Sequence, residues 1–252
     1  MLDLQKANLW KRMSAALFDF ILLGIVIVAV AFGLSALLKY DVYNEQLNDY
    51  YTAYEEKHGV TFEISSEEYY AMSEEEFKKY NDAYMDLISD EEAMYTYNMV
   101  INLTLLIVSL SILFGYLIME FAVPLRLGNG QTLGKKIFGT AVMRVDSVKI
   151  TAPLLFIRTV LGKFTIETMI PVLIVIMIYF NTIGVVGMLI LGLILLLQII
   201  LYATSKTNSL IHDVLAKTVV VDYASQMIFE TEEEMTAYKA KMHAEKAARQ
   251  TY

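Results

Sequence analysis

The chain of 252 residues has no cysteine, three histidines and three prolines. Without cysteine there are no disulfides and no thiolate metal sites. His58, His212 and His243 are scattered along the chain. With no cluster of metal-ligand spacing among them, no metal, no cofactor and no enzyme activity is expected. A calcium loop of the Asp-x-Asp-x-Asp-Gly type is also missing. The formal net charge of −8 removes any basis for nucleic-acid binding. A cleavable signal peptide is not expected either, because the first apolar run is too long and no small-residue cleavage pattern precedes Lys39.

What the chain does contain is long apolar runs. It is 56% hydrophobic yet 19% charged, so the two kinds of residue must be segregated. Leu17–Leu38 is 22 residues long with Asp19 as its single charge, and Val100–Val123 ends at Pro124 with Glu120 as its single interruption. Either length crosses a bilayer as a helix. Leu154–Phe180 carries Arg158, Lys163 and Glu167, so its first part reads as an amphipathic helix along the cytoplasmic interface, with Lys163 and Glu167 four apart and able to pair. Asn181-Thr182-Ile183-Gly184 is a turn signal, after which Val185–Ala203 is again uncharged.

The fold class expected is therefore all-α: an integral membrane protein with four transmembrane helices and an acidic, helical extracytoplasmic loop between the first and second. The divisions are 1–39 (N-terminus and first helix), 40–98 (acidic insertion), 99–223 (the rest of the membrane domain with its cytoplasmic loop) and 224–252 (charged cytoplasmic tail). Basic residues set the orientation. Fifteen of the 20 Lys and Arg flank the spans on the side of the termini, whereas residues 40–98 hold 16 acidic residues against Lys57, Lys78 and Lys79. Both termini should be cytoplasmic. A three-span alternative, with one helix over 164–203, would strand six basic residues outside.

The acidic insertion reads as ordered helices. Ser65-x-x-Glu68, Ser73-x-x-Glu76 and Ser89-x-x-Glu92 each match a capping box. Eleven of the 17 tyrosines fall between Tyr40 and Tyr97. They read as rings that belt an interface and glue short helices together, with an aromatic and acidic site for a cation or peptide as the alternative.

Three polar features remain. Asp19 lies inside the first run and Arg12 two helical turns before it, roughly 10 Å of rise away. An ionisable residue there must be paired or face a polar interior. Arg12 is expected to meet Asp213 near the cytoplasmic surface, and Asp19 to be held by polar groups of another span. The loop Gly128-Asn129-Gly130-Gln131-Thr132-Leu133-Gly134-Lys135-Lys136-Ile137-Phe138-Gly139 lacks the Walker A pattern, since Asn129 and Lys136 stand where Gly and Ser or Thr are needed. It reads as a tight turn through Gly128 and Gly130 with a short helix starting near Thr132. Gly134 and Gly139 would allow close packing, and Lys135 and Lys136 would face lipid phosphates or the cytosol. His212-Asp213 is too little for a catalytic metal site and reads as a hydrogen-bonding pair at a helix start.

Together these residues resemble the RDD family of bacterial polytopic membrane proteins, named for one Arg and two Asp. Arg12, Asp19 and Asp213 match the three, and Gly130, Gln131, Thr132, Gly134, Lys135, Gly139, Val142, Val145, Arg158 and His212 fit the pattern around them. The likeness runs over about Leu9–Asp222 apart from the acidic loop. The chain departs from it at Asp146-Ser147, where many relatives would have Asp-Gly. The resemblance implies a compact membrane protein taking part in transport and brings no catalytic residues. Two functional classes follow. One is a small transporter or ion-coupled permease, with Asp19 meeting a proton or cation and Arg12 and Asp213 shaping its vestibule. The other is a non-transporting adaptor of a larger membrane assembly. The partners expected are the lipid bilayer, a small solute or cation, and a second copy or another membrane protein.

Overall fold

The computed structural model describes residues 4–250, with the side chains of Arg249 and Gln250 outside that description. The last residues of the expected cytoplasmic tail therefore lie beyond the described residues. Among these, four helices are long and apolar enough to cross a membrane: α1 (Leu9–Leu37), α5 (Glu91–Leu127), α7 (Ala152–Tyr179) and α8 (Gly184–Thr204). Their lengths of 29, 37, 28 and 21 residues all reach the roughly 30 Å of a hydrocarbon core at about 1.5 Å per residue. Apolar side chains cover their outer faces; Phe32 and Val185 are 74% and 73% exposed, which suits lipid rather than water. The four-span expectation is met. The turn between α7 and α8 falls at the anticipated signal, with Asn181 and Gly184 both at positive φ.

The chain divides into two compact units. One comprises residues 28–111, and in it α1 reverses into α2 (Tyr40–His58) through Lys39 at φ 55. Two further helices follow, α3 (Ser66–Ala71) and α4 (Glu74–Ser89). Two of the three capping boxes are present in full, at Ser65/Glu68 and Ser73/Glu76. The third is not. Ser89 ends α4, donating its hydroxyl to the Met85 carbonyl, and Asp90 caps α5 by accepting from the amides of Glu92 and Ala93. A carboxylate suits the positive end of a helix better than a hydroxyl. The rings do join the short helices: Tyr51, Phe62, Tyr80, Tyr69 and Phe77 form a chain of edge-on contacts with centroids 5.8–6.0 Å apart.

The second unit holds residues up to 27 and from 112 onward. It contains α6 (Leu133–Ile137), β1 (Thr140–Arg144), α9 (Ile211–Ala216), β2 (Thr218–Asp222) and α10 (Glu232–Gln250) besides the long helices. The two strands pair antiparallel, Thr140 opposite Asp222 and Arg144 opposite Thr218. This small sheet was not anticipated, although Thr218-Val219-Val220-Val221 is a β-branched run of the kind that favours strands. The N-terminal segment covers the free edge of β2: the Asp222 amide donates to the Gln5 carbonyl at 2.9 Å and the Ala7 amide to Val220 at 3.4 Å. Ala141, Met143, Val219 and Val221 form a fully buried cluster on one face. At the turn after β1, Ser147 takes φ 73 and is buried, so the position where relatives would carry Gly does require a left-handed backbone.

Two stretches of the long helices are wound as π-helix, Leu117–Ala122 in α5 and Ile157–Met169 in α7. The second turns Arg158, Thr159 and Gly162 inward. The expected Lys163–Glu167 pair is not formed, because each side chain meets an opposite partner on another element, Lys163 on Glu120 and Glu167 on His212.

Candidate functional site

The Gly-rich loop is built to reach Asp19. Gly128, Asn129 and Gly130 all take positive φ, and a Cβ on Gly130 would lie 2.7 Å from the Val142 carbonyl oxygen. Gln131, buried, donates from its side-chain amide to the Thr140 carbonyl at 2.8 Å, tying the loop to β1. Thr132 then caps α6, accepting from the Lys135 amide. At this cap the Thr132 hydroxyl and the Gly134 amide both donate to the Asp19 carboxylate, the latter at 2.8 Å. Gly134 has to be glycine, because a Cβ would collide with the Ala15 carbonyl oxygen and crowd the Asp19 carboxylate. The groups that hold Asp19 thus come from the loop rather than from another span, as had been expected. A loop can present a bare amide, whereas the amides of a helix interior are already used.

Lys135 is buried, not turned to lipid phosphate or cytosol, and its ammonium lies 3.6 Å from Asp19 and 3.9 Å from Glu120. Burial pushes its pKa down to about 8, reinforced by Lys163 and Arg158 and resisted by Glu120 and Asp19. Lys136 is exposed, as anticipated. Gly139 has no atom within 4 Å of a Cβ position; its role is the φ of +65 that turns the chain into β1, not the close packing expected of it.

Beyond Lys135 the polar contacts continue without a break. Glu120 on α5 bonds Lys163 at 2.5 Å and lies 3.8 Å from the Arg158 guanidinium. Arg158 donates from Nε to Asp213 at 3.0 Å, and Thr218 donates to the same oxygen at 2.8 Å. His212 bonds Glu167 through Nδ1 at 2.7 Å and lies 3.4 Å from Asp213 through Nε2. The close crossing of α9 and α7 that permits this depends on Gly162, whose Cβ would fall 2.5 Å from the Cβ of His212. Burial opposes ionisation of Asp213, yet Arg158, His212 and the Thr218 hydroxyl together hold its carboxyl well below the usual range.

Arg12 is not the partner of Asp213. Among the described residues it makes no ion pair, and its guanidinium lies over the Tyr202 ring, 5.5 Å from the centroid. Arg158 takes the place expected of it because α7 and α9 pack directly on each other. Glu120, Lys163, Glu167 and Tyr202 had not been placed in the site. The signal for the first three was in the sequence, since ionisable residues inside apolar spans are costly unless they serve a polar interior. These groups surround a cavity of about 360 Å³ to which all four long helices contribute, including Tyr116 and Tyr202. The second carboxylate oxygens of Glu120 and Asp213 are buried without a short hydrogen bond but lie against charged neighbours, Lys135 and Arg158 at 3.9 and 3.8 Å from Glu120 Oε2 and the His212 ring at 3.4 Å from Asp213 Oδ2. No cluster of three or more metal-ligating side chains is present among the described residues.

The three residues Arg12, Asp19 and Asp213 thus meet at one cavity, and a model of the RDD family matches residues 6–217. The chain belongs to the RDD family. It is a membrane protein of that family, and the match runs through the Gly-rich loop, the π-helical part of α7 and the His212-Asp213 pair. Comparison with curated proteins and with solved structures finds no match.

Proposed function

We propose that this RDD-family protein admits a small polar solute to its intramembrane cavity and passes it across the cell membrane as a permease, without enzymatic chemistry. The observation that carries the reading is a cavity of about 360 Å³ lined by ionisable side chains, among them Arg12, Glu120, Arg158 and Asp213. Ionisable residues at membrane depth usually face a polar interior or a water-filled cavity and mark solute pathways. The volume lies in the range of small-ligand sites. The basic residues around the Gly-rich loop and α10 support a cytoplasmic location for both termini and for this loop, with residues 40–98 outside. A second copy would help four helices to enclose a pathway.

One observation favours the adaptor reading. Asp19 is fully engaged by Thr132, Gly134 and Lys135, which makes it a latch for the loop rather than a carrier of a proton or cation. The permease reading therefore rests on Glu120, Asp213 and Arg12 and not on Asp19. Solute-dependent thermal stabilisation of the purified protein, followed by flux in proteoliposomes, tests it. Stabilisation with flux is expected; stabilisation without flux favours the adaptor, and neither would sink the solute cavity altogether.

A further inference from the structure

The acidic unit has a pocket of its own, of about 190 Å³. Three helices build most of its wall: Leu47 and Tyr51 come from α2, Tyr84 and Leu87 from α4, and Met94 and Tyr97 from α5. Spacings of three and four put each pair on one side of its helix. The volume falls below the roughly 300 Å³ at which drug-sized ligand sites begin, so a small molecule fits and a peptide segment does not.

Rings and apolar groups line this pocket, and no charged side chain does. The three phenols converge, since burial together with Tyr97 and Tyr84 raises the pKa of Tyr51. Their neighbours Tyr50 and Tyr54 bond to Glu92 and Asp90, whereas Tyr51, Tyr84 and Tyr97 bond to no carboxylate among the described residues. The carboxylates close by in the chain are engaged: Asp86 by Lys57 and His58, Asp90 by Tyr54 and two amides, and Glu92 by Tyr50. An ammonium that carries hydrogens would exchange strong bonds to water for phenol oxygens at best. A quaternary nitrogen has no hydrogens to satisfy, and aromatic rings attract its charge. The field selects the same sign, because residues 40–98 hold 16 acidic residues against three lysines and so draw cations and repel anions.

We propose that the pocket between α2, α4 and α5 binds a small, free quaternary ammonium cation of the choline kind. The trimethylammonium group sits among Tyr51, Tyr84 and Tyr97 with its methyl groups against Leu47, Leu87 and Met94. A phospholipid headgroup bearing the same group fits less well, because its phosphate brings a negative charge into an acidic unit. This site belongs to the acidic unit alone and stands apart from the permease reading of the polar cavity.

The test is titration calorimetry on the purified full chain in a maltoside detergent, which carries no cation of its own. Four compounds are compared: choline, its uncharged carbon analogue with a tert-butyl group in place of trimethylammonium, ethanolamine and phosphocholine. Choline is expected to bind and each of the others to bind at least about fivefold more weakly. Tyr84→Leu and Tyr97→Leu keep apolar bulk but remove a ring, and each should weaken choline at least about threefold. Tyr84→Phe and Tyr97→Phe keep the ring and should bind choline as the unaltered protein does. Equal binding of the carbon analogue would make the pocket an apolar site, equal binding of ethanolamine or phosphocholine would remove the choice of a free quaternary cation, and any of these overturns the proposal. So does choline binding that ignores both leucine variants, which would place it elsewhere in the chain, and so does a failure of choline to bind. Should the leucine variants fail to fold, the ranking of the four compounds on the unaltered protein still decides.

Discussion

Arg158 and Asp213, 55 positions apart, form an ion pair with a 3.0 Å bond and side chains only 2% and 1% exposed. Each is costly to bury alone, so removing one strands the other. Arg158→Gln should lower stability by about 3–5 kcal/mol, read as a fall in the thermal midpoint in detergent. Arg158→Lys should rescue only part of the loss. A single ammonium cannot reproduce both the Nε bond to Asp213 and the approach of Nη1 to Glu120. A midpoint unchanged by either substitution would refute this account of the site.

The loop around Asp19 makes a separate prediction. Gly134→Ala forces a methyl group against the Ala15 carbonyl, which is backbone and cannot swing away, and should cost about 1–3 kcal/mol. Asp19→Asn should keep the Gly134 amide bonded and the protein folded, whereas Asp19→Leu leaves the Thr132 hydroxyl, the Gly134 amide and Lys135 without their acceptor. The expected order of thermal midpoints is wild type, Asn, Leu. Asn falling as far as Leu would count against the latch.

Ser147 is buried at φ 73, a backbone region that costs a side chain about 1–2 kcal/mol. Ser147→Gly should therefore raise stability by about 1 kcal/mol, visible as an increase in the thermal midpoint. A decrease would mean that packing of the serine outweighs its backbone strain.

The acidic unit should lose its local order in acid. Glu68 and Glu76 are held below the usual 4.5 by the amide and hydroxyl of Ser65 and Ser73. Asp86 is held below 3.8 by Lys57 and His58, and Asp90 by the Ala93 amide and Tyr54. A carboxylate depressed in the fold stabilises it above the unfolded value and stops doing so as pH falls through the folded one. Neutralising the segment's negative charge works in the opposite direction by relieving self-repulsion. Hydrogen exchange at the capped first turns of α3, α4 and α5 is therefore the informative readout. After correction for intrinsic rates, their protection should fall as pH drops below these values, and constant protection would refute the caps.

Orientation is open to direct labelling, because the chain has no cysteine to remove. Single cysteines at the exposed positions Glu63, Lys136 and Glu245 should react with a membrane-impermeant reagent from outside only at position 63. Labelling of position 136 from outside intact cells would reverse the proposed topology.

Much of this protein was legible in one dimension. Apolar runs long enough to cross a bilayer show as runs, and the Asn181–Gly184 turn and two of three capping boxes show because they involve only near neighbours in the chain. The same locality marked Thr132 as a helix start, whereas Arg12, Asp19 and Asp213 were placed together only through the resemblance to the RDD family. Partners could not be read this way. Arg158 rather than Arg12 reaches Asp213 because α9 packs on α7, Gly162 permits that approach, and π-winding turns Arg158 inward. Lys135, in a loop that reads as surface, is buried because Thr132 and Gly134 draw that loop against Asp19. Pairing of β1 with β2 joins residues some 80 apart, and a short β-branched run does not announce its partner. Sequence alone determined which residues had to avoid lipid; the crossing of the helices decided which of them met. A buried charge can be satisfied by any group the packing brings within reach, and that reach is set in three dimensions.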